Sequence, residues 1–317
     1  MSRILIVTPA PPGSRKGNRI TATRWAGMLR SLGHSVVIRE SFQDERSDLL
    51  IALHARKSSA DIKRFRARYP NRHIIVVLTG TDLYGDIHKN RAAQNSLEMA
   101  DRLVLLQPHG KGELSSDLQA RSRVVIQSAM PLSNPPKPLK SAFEICVSGH
   151  LRPVKDPFRA ARAARKLPPD SRIRITQIGA ALTEPMRKQA ETEVTRNPRY
   201  RWLGEVTPHR AKQIVARSKA LVLSSKMEGG ANVISEALAA GVPILSSRIS
   251  GSIGLLGEDY AGYFDVGDTA HLAELMLKCE QGESFLTLLK DQCRKKASLV
   301  KPECERESLR QLIDELR

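Results

Sequence analysis

Two carboxylates eight positions apart, Glu228 and Glu236, stand on either side of Gly229 and Gly230 in the stretch SSKMEGGANVISEALAAG. An ionised carboxylate only accepts hydrogen bonds, so the pair suits a ligand that offers hydroxyl groups. The glycines leave backbone N–H groups bare where a helix begins, and a helix start of that kind attracts phosphate. With the helix rise as the ruler, these groups fall within about 10 Å of one another. A nucleotide-sugar carries the three matching parts: a diphosphate, a ribose diol and a hexose diol. Either glutamate alone reads as a solvated surface acid, and what sets the two apart is the glycine turn between them. Gly229, Gly230, Asn232 and Glu236 are therefore donor-binding candidates, together with Glu228.

The apolar run Ala220–Leu223 precedes this stretch and Val242–Leu245 follows it. Between them Val233, Ile234, Ala237 and Leu238 line one side of a helix. Strand, loop, helix and strand in that order put the loop at the carboxyl edge of a parallel sheet, where open α/β sheets bind ligands. The same alternation runs through the chain. Strand patterns occur at 4–7, 36–38, 49–53, 74–78, 103–106 and 124–126, then at 145–147, 173–178, 201–203, 221–223, 244–245 and 263–264, with helical stretches between. Four prolines in Pro131–Leu139 make a stiff linker. The expectation is α/β: a domain over residues 1–134 and another over 135–317, each a doubly wound parallel sheet, with three closing helices near 269–279, 283–297 and 303–316.

The Glu228–Glu236 stretch resembles the donor signature of GT-B glycosyltransferases of the family 4 type, and Ala237–Ile244 (ALAAGVPI) also has that family's form. The resemblance implies two Rossmann-like domains facing across a cleft. It also implies that Glu228 contacts the transferred sugar, as a catalytic residue, and that Glu236 contacts the ribose. Ser148-Gly-His-Leu-Arg-x-x-Lys155 is similar to the family segment whose cations hold the donor diphosphate. Lys155 carries over directly; His150 stands at the usual arginine, and Arg152 lies two residues later. Fixed cations favour a departing nucleoside diphosphate without a metal. No Asp-x-Asp occurs, and neither a metal nor another cofactor is expected. Gly204, in Leu203–Val206, matches the place where such enzymes read the base through backbone groups.

The first domain has its own strand-end loops. Thr8–Arg19 follows the first strand, and its prolines forbid helix. Gly13 is a donor-binding candidate there, and Arg15, Gly17, Asn18 and Arg19 are acceptor-binding candidates. The spacing is not that of a dinucleotide fingerprint, so NAD is not implied. His54 follows the third strand with Arg56 and Lys57, and Thr79-Gly-Thr-Asp82 follows the fourth. His54 is a candidate base, although a structural histidine is the commoner reading. Arg56, Lys57, Thr79, Thr81 and Asp82 join the acceptor set. In the family this last loop often begins with His, which here is Thr79. An acceptor that is already an anion needs no base.

Charge agrees with an anionic partner. The net charge is +18, and residues 1–139 hold 22 basic against 11 acidic side chains. Aromatic content of 4% leaves few platforms for stacking bases, so nucleic acid is the distant alternative. No run reaches the ~18 apolar residues of a membrane span. Cys146, Cys279, Cys293 and Cys304 form no CxxC pair, so buried thiols in a reducing cytoplasm are expected.

At a finer grain, VTPAPPGSRKGNR, LIALHARKS, LTGTDLY, GHLRPVKDP and EGGANVISEALAAGVP resemble the selenosugar synthases of selenoneine biosynthesis. That likeness implies transfer of N-acetylglucosamine or glucose from a UDP-sugar to the selenium of selenophosphate, giving a 1-selenosugar. The alternative within the fold is a hexosyltransferase acting on an envelope-polysaccharide or lipid-linked acceptor.

Overall fold

The structure is a computed structural model and describes residues 1–316. Among the described residues twelve strands form two sheets, and every pairing within them is parallel. They are β1 (Arg3–Val7), β2 (Ser35–Arg39), β3 (Leu49–Leu53), β4 (His73–Leu78), β5 (Arg102–Leu105) and β6 (Ser122–Val124) in the first sheet. The second holds β7 (Phe143–Ser148), β8 (Ile173–Ile178), β9 (Tyr200–Trp202), β10 (Ala220–Leu223), β11 (Ile244–Ser247) and β12 (Tyr263–Phe264). The apolar runs become strands because helices cover both faces. Every residue of β3 and of β10 is buried, as a parallel sheet requires.

The strand orders are β2-β1-β3-β4-β5-β6 and β12-β11-β10-β7-β8-β9. The direction of winding therefore reverses between β1 and β3 in the first sheet and between β7 and β10 in the second. At such a reversal the neighbouring strand-end loops part in opposite directions and leave a crevice at the carboxyl edge.

Two compact units divide the chain. The first comprises Met1–Gln127, Glu228–Gly230 and the chain from Pro302 onward; the second comprises Ser128–Met227 and Ala231–Lys301. The sequence reading kept the last helix with the second domain. In the structure the helix Pro302–Asp314 packs on Gly17–Ser31 in the first unit. Its Leu309, Leu312 and Ile313 share one stripe and join Trp25 and Leu29 in the core. Glu305, 1% exposed, sits among them because it is paired: Arg24 Nε lies 2.9 Å from one carboxylate oxygen, and Trp25 Nε1 donates to the other over 2.7 Å.

Two boundaries differ from expectation. The first long helix starts at Gly17 and not near Thr21, and Thr21 Oγ1 donates back to the Gly17 carbonyl. Thr79–Tyr84, expected as loop, runs into a π-helical turn over Asp82–Asp86. The Asp82 side chain seeds that turn, as described next.

Candidate functional site

In the second unit, the loop after β7 turns through a short 3₁₀ helix, Pro153–Lys155, and returns to β10. Several bonds hold it there. Lys226 N–H donates to the Val154 carbonyl over 2.8 Å, and Ser224 Oγ donates to the carbonyls of Asp156 and Lys155 over 2.9 and 3.3 Å. Lys155 thus lines a small recess with Ser148, Gly149, Gln177, Ser224 and Ser225, at the reversal between β7 and β10. Gln177 is 1% exposed, and its Oε1 has no hydrogen-bond partner among the described residues.

The wall of this recess depends on glycine. Gly179 has φ +132°, and a Cβ there would lie 2.1 Å from the Gly149 carbonyl oxygen. Gly149 N–H donates to Ile178 O and Gly179 N–H to Gly204 O, so three strand-end loops are laced together. Trp202 Nε1 donates to the Gly179 carbonyl over 2.9 Å. His150, one candidate for the family arginine, accepts the Ala180 N–H on Nδ1 over 3.2 Å. Arg152 is half-buried, and its carbonyl accepts the Lys155 N–H. Glu236 lies in the helix Asn232–Ala240, which Asn232 opens. Its charge reaches the β7 thiol of Cys146, whose pKa is pushed far up by burial first and then by Glu144 and Glu236.

In the first unit, Glu228 is half-buried and Gly229 and Gly230 pack against strand ends of the first sheet. A Cβ on Gly229 would meet Thr79 C at 2.5 Å and Gly80 N at 2.6 Å; one on Gly230 would meet Leu106 Cβ at 2.6 Å. The glycine pair is thus required for close packing, a need beyond the bare N–H groups inferred from sequence.

Around it lie the loops after β3 and β4. Asp82 is fully buried, and one carboxylate oxygen accepts the N–H groups of Thr79 and Gly80 while the other accepts that of Ala55, each over 2.9 Å. It was expected among acceptor contacts. With both oxygens taken by backbone, its work is to fix the two loops. His54 is 2% exposed and has φ +79°, a conformation that costs a residue with a Cβ about 1–3 kcal/mol. Its Nδ1 faces the Lys57 N–H, and its Nε2 lies 3.1 Å from Thr81 Oγ1. Burial lowers its pKa below the usual 6.5, outweighing the opposing pull of Asp82. The ring is therefore neutral near pH 7, with its Nε2–H aimed at Thr81. Thr81 itself is exposed. Arg56 Nε stands 3.0 Å from Asp86 Oδ2, a neighbour that sequence reasoning missed because Asp86 lies beyond the recognisable motif.

The loop after β1 carries Gly13 at φ +77°, then Arg15, exposed, and Gly17, Asn18 and Arg19 in the first turn of the helix. Arg19 Nη1 is buried and has no hydrogen-bond partner among the described residues. The first turn of a helix and a guanidinium form an anion-seeking edge. Among the described residues no group of three or more His, Cys, Asp or Glu side chains gathers as a metal site, and no helix is long and apolar enough to cross a membrane.

Residues 133–298 match the family described as Glycosyl transferases group 1. The chain is 27% identical over 273 residues to "Glycosyltransferase 1 domain-containing protein 1" of Xenopus tropicalis, covering 78% of this chain and 79% of that one. Among solved structures it is similar to HepE of Anabaena in complex with UDP and glucose, at 14% identity and a TM-score of 0.79, covering 99% of this chain and 100% of that one. It is similar also to sucrose-phosphate synthase of Thermosynechococcus elongatus, at 14% identity and a TM-score of 0.78, covering 99% and 98%.

Proposed function

The chain belongs to the glycosyl transferases group 1 family and has the GT-B fold, and from that premise we propose that it moves N-acetylglucosamine or glucose from a UDP-sugar to the selenium of selenophosphate. The second domain holds the nucleotide part of the donor. Lys155, with Arg152, receives the diphosphate, and His150, whose ring serves Ala180, leaves that task to the guanidinium. Glu236 takes the ribose, Glu228 the hexose, and Gly204 lies beside the base. The likeness to HepE, solved with UDP and glucose, supports this donor. Selenium attacks the anomeric carbon as the bond to UDP breaks, and the two cations stabilise the charge on the leaving group, so no metal is invoked. Water then cleaves the phosphorus–selenium bond, releasing phosphate and the 1-selenosugar.

The observation that carries the acceptor is the make-up of the first sheet's strand-end loops. Exposed cations, Arg56 and Lys57, flank a histidine held neutral beside a carboxylate, Asp82, saturated by backbone, and Arg15 is exposed on the loop after β1. That combination supports an anionic nucleophile, which needs cations and hydrogen-bond donors more than it needs a base. His54 acts through Thr81, whose hydroxyl it leaves free to donate. The aromatic residues Trp25, Phe42 and Phe65 are buried and build no apolar acceptor groove.

The test is incubation with UDP-glucose or UDP-N-acetylglucosamine and selenophosphate, read by mass spectrometry for a selenohexose. Arg56→Ala is expected to raise the acceptor KM at least tenfold, in the range of about 1.5–3 kcal/mol for a charged hydrogen bond, and to leave UDP affinity unchanged. Transfer to a lipid-linked sugar with none to selenophosphate overturns the acceptor assignment and leaves the donor site standing.

A further inference from the structure

The turn that presents Lys155 ends on a residue in an unusual conformation. Asp156 has φ +41° and ψ +55°, the left-handed region in which a residue with a Cβ is disfavoured. Glycine would adopt it freely, so the aspartate side chain must return something for the strain. Its surroundings show what that is. Asp156 is 8% exposed, and Arg159 Nε donates to its Oδ2 over 2.7 Å. Arg162 Nη1 lies 3.6 Å from its Oδ1. Arg159 is anchored in turn, donating from Nη1 to the Gly267 carbonyl and to Thr269 Oγ1, each over 2.6 Å. On the backbone side, Ser224 Oγ donates to the Asp156 carbonyl. A carboxylate gripped on one side and a carbonyl gripped on the other leave the preceding residue, Lys155, little freedom of direction.

We propose that Asp156 is a positioning residue: through Arg159 and the loop at Gly267–Thr269 it locks the left-handed turn that aims Lys155 into the recess between β7 and β10. This rests on the reading that Lys155 receives the donor diphosphate. The pairing also explains why an acid is kept beside an anion-binding lysine. Its charge is neutralised by Arg159 and Arg162, so it does not repel phosphate as a bare carboxylate would.

The test is UDP binding by calorimetry on the full-length protein, with melting temperature as the control for folding. Asp156→Asn retains the tolerance for the left-handed region and loses the ion pairs. It is expected to weaken UDP binding about five- to twentyfold. In a Lys155→Ala background the same change should add less than about twofold, because its target is gone. Asp156→Gly, which relieves the strain but removes the arm, should behave like Asn and not like wild type. A variant that melts lower yet binds UDP as wild type does, or losses that add fully in the double variant, overturns the proposal. If Lys155→Ala itself leaves UDP affinity unchanged, the donor-site reading falls; if it weakens binding while Asp156→Asn is silent, the inference alone falls.

Discussion

Gly179→Ala is the sharpest perturbation of the donor side, and its size follows from the geometry. The added Cβ would lie 2.1 Å from the Gly149 carbonyl oxygen, 2.4 Å from its carbon and 2.8 Å from His150 N. Ordinary non-bonded contact lies near 3.5 Å, so the 149–150 peptide must retreat by more than about 1 Å. It cannot do so alone, because Gly149 N–H is bonded to Ile178 O and Leu151 N–H to Ala180 O. Alanine must also hold φ +132°, at about 1–3 kcal/mol. Forced overpacking costs a similar amount, which puts the total at roughly 2–6 kcal/mol. Arg152 and Lys155 ride on the displaced segment, and misplacement of about 1 Å can cost up to ~100-fold. The expected result is a lower urea midpoint, followed by tryptophan fluorescence, and UDP affinity reduced about ten- to a hundredfold by calorimetry. Gly27→Ala is the control: nothing lies within 4 Å of its Cβ position, on an exposed helix face, so it should be neutral or slightly stabilising. A Gly179→Ala protein with wild-type stability and UDP affinity within about twofold would refute the reasoning.

Glu305→Ala should destabilise the first unit by about 1–3 kcal/mol, because it removes the acceptor of the buried Trp25 N–H and an ion-pair partner of the half-buried Arg24; a thermal midpoint lowered by less than about 2 °C counts against this. His54 contributes a pH dependence whose sign is fixed by its lowered pKa. The unfolded chain takes up the proton near pH 6.5 and the folded chain only at lower pH, so acidification through that window favours unfolding. Wild type should therefore lose stability below pH 6.5 more steeply than His54→Gln does, and parallel melting curves for the two from pH 7 to 5 would remove the burial argument.

What the sequence could determine, it determined through local pattern. Near-continuous apolar runs such as Leu49–Leu53 and Ala220–Leu223 can be satisfied only between two layers of helices, so twelve strands and two parallel sheets were legible before any coordinates. The proline-rich 131–139 segment separates the two sheets by backbone chemistry alone, and the Glu228–Glu236 spacing is local as well. Properties that depend on distant partners were closed to such reading. Asp82 looked like a ligand contact because its backbone donors, Ala55, Thr79 and Gly80, come from two loops that meet only in the folded sheet. The terminal helix was assigned to the wrong neighbour because its stripe of Leu309, Leu312 and Ile313 states that it must be covered, not by what. The tolerance of Asp156 for a left-handed turn is invisible in the string KDP, since the arginine that holds it is itself held by Gly267 and Thr269, more than a hundred residues on. Periodicity and spacing are properties of the chain, whereas burial, partner choice and the direction of a side chain belong to the packed whole.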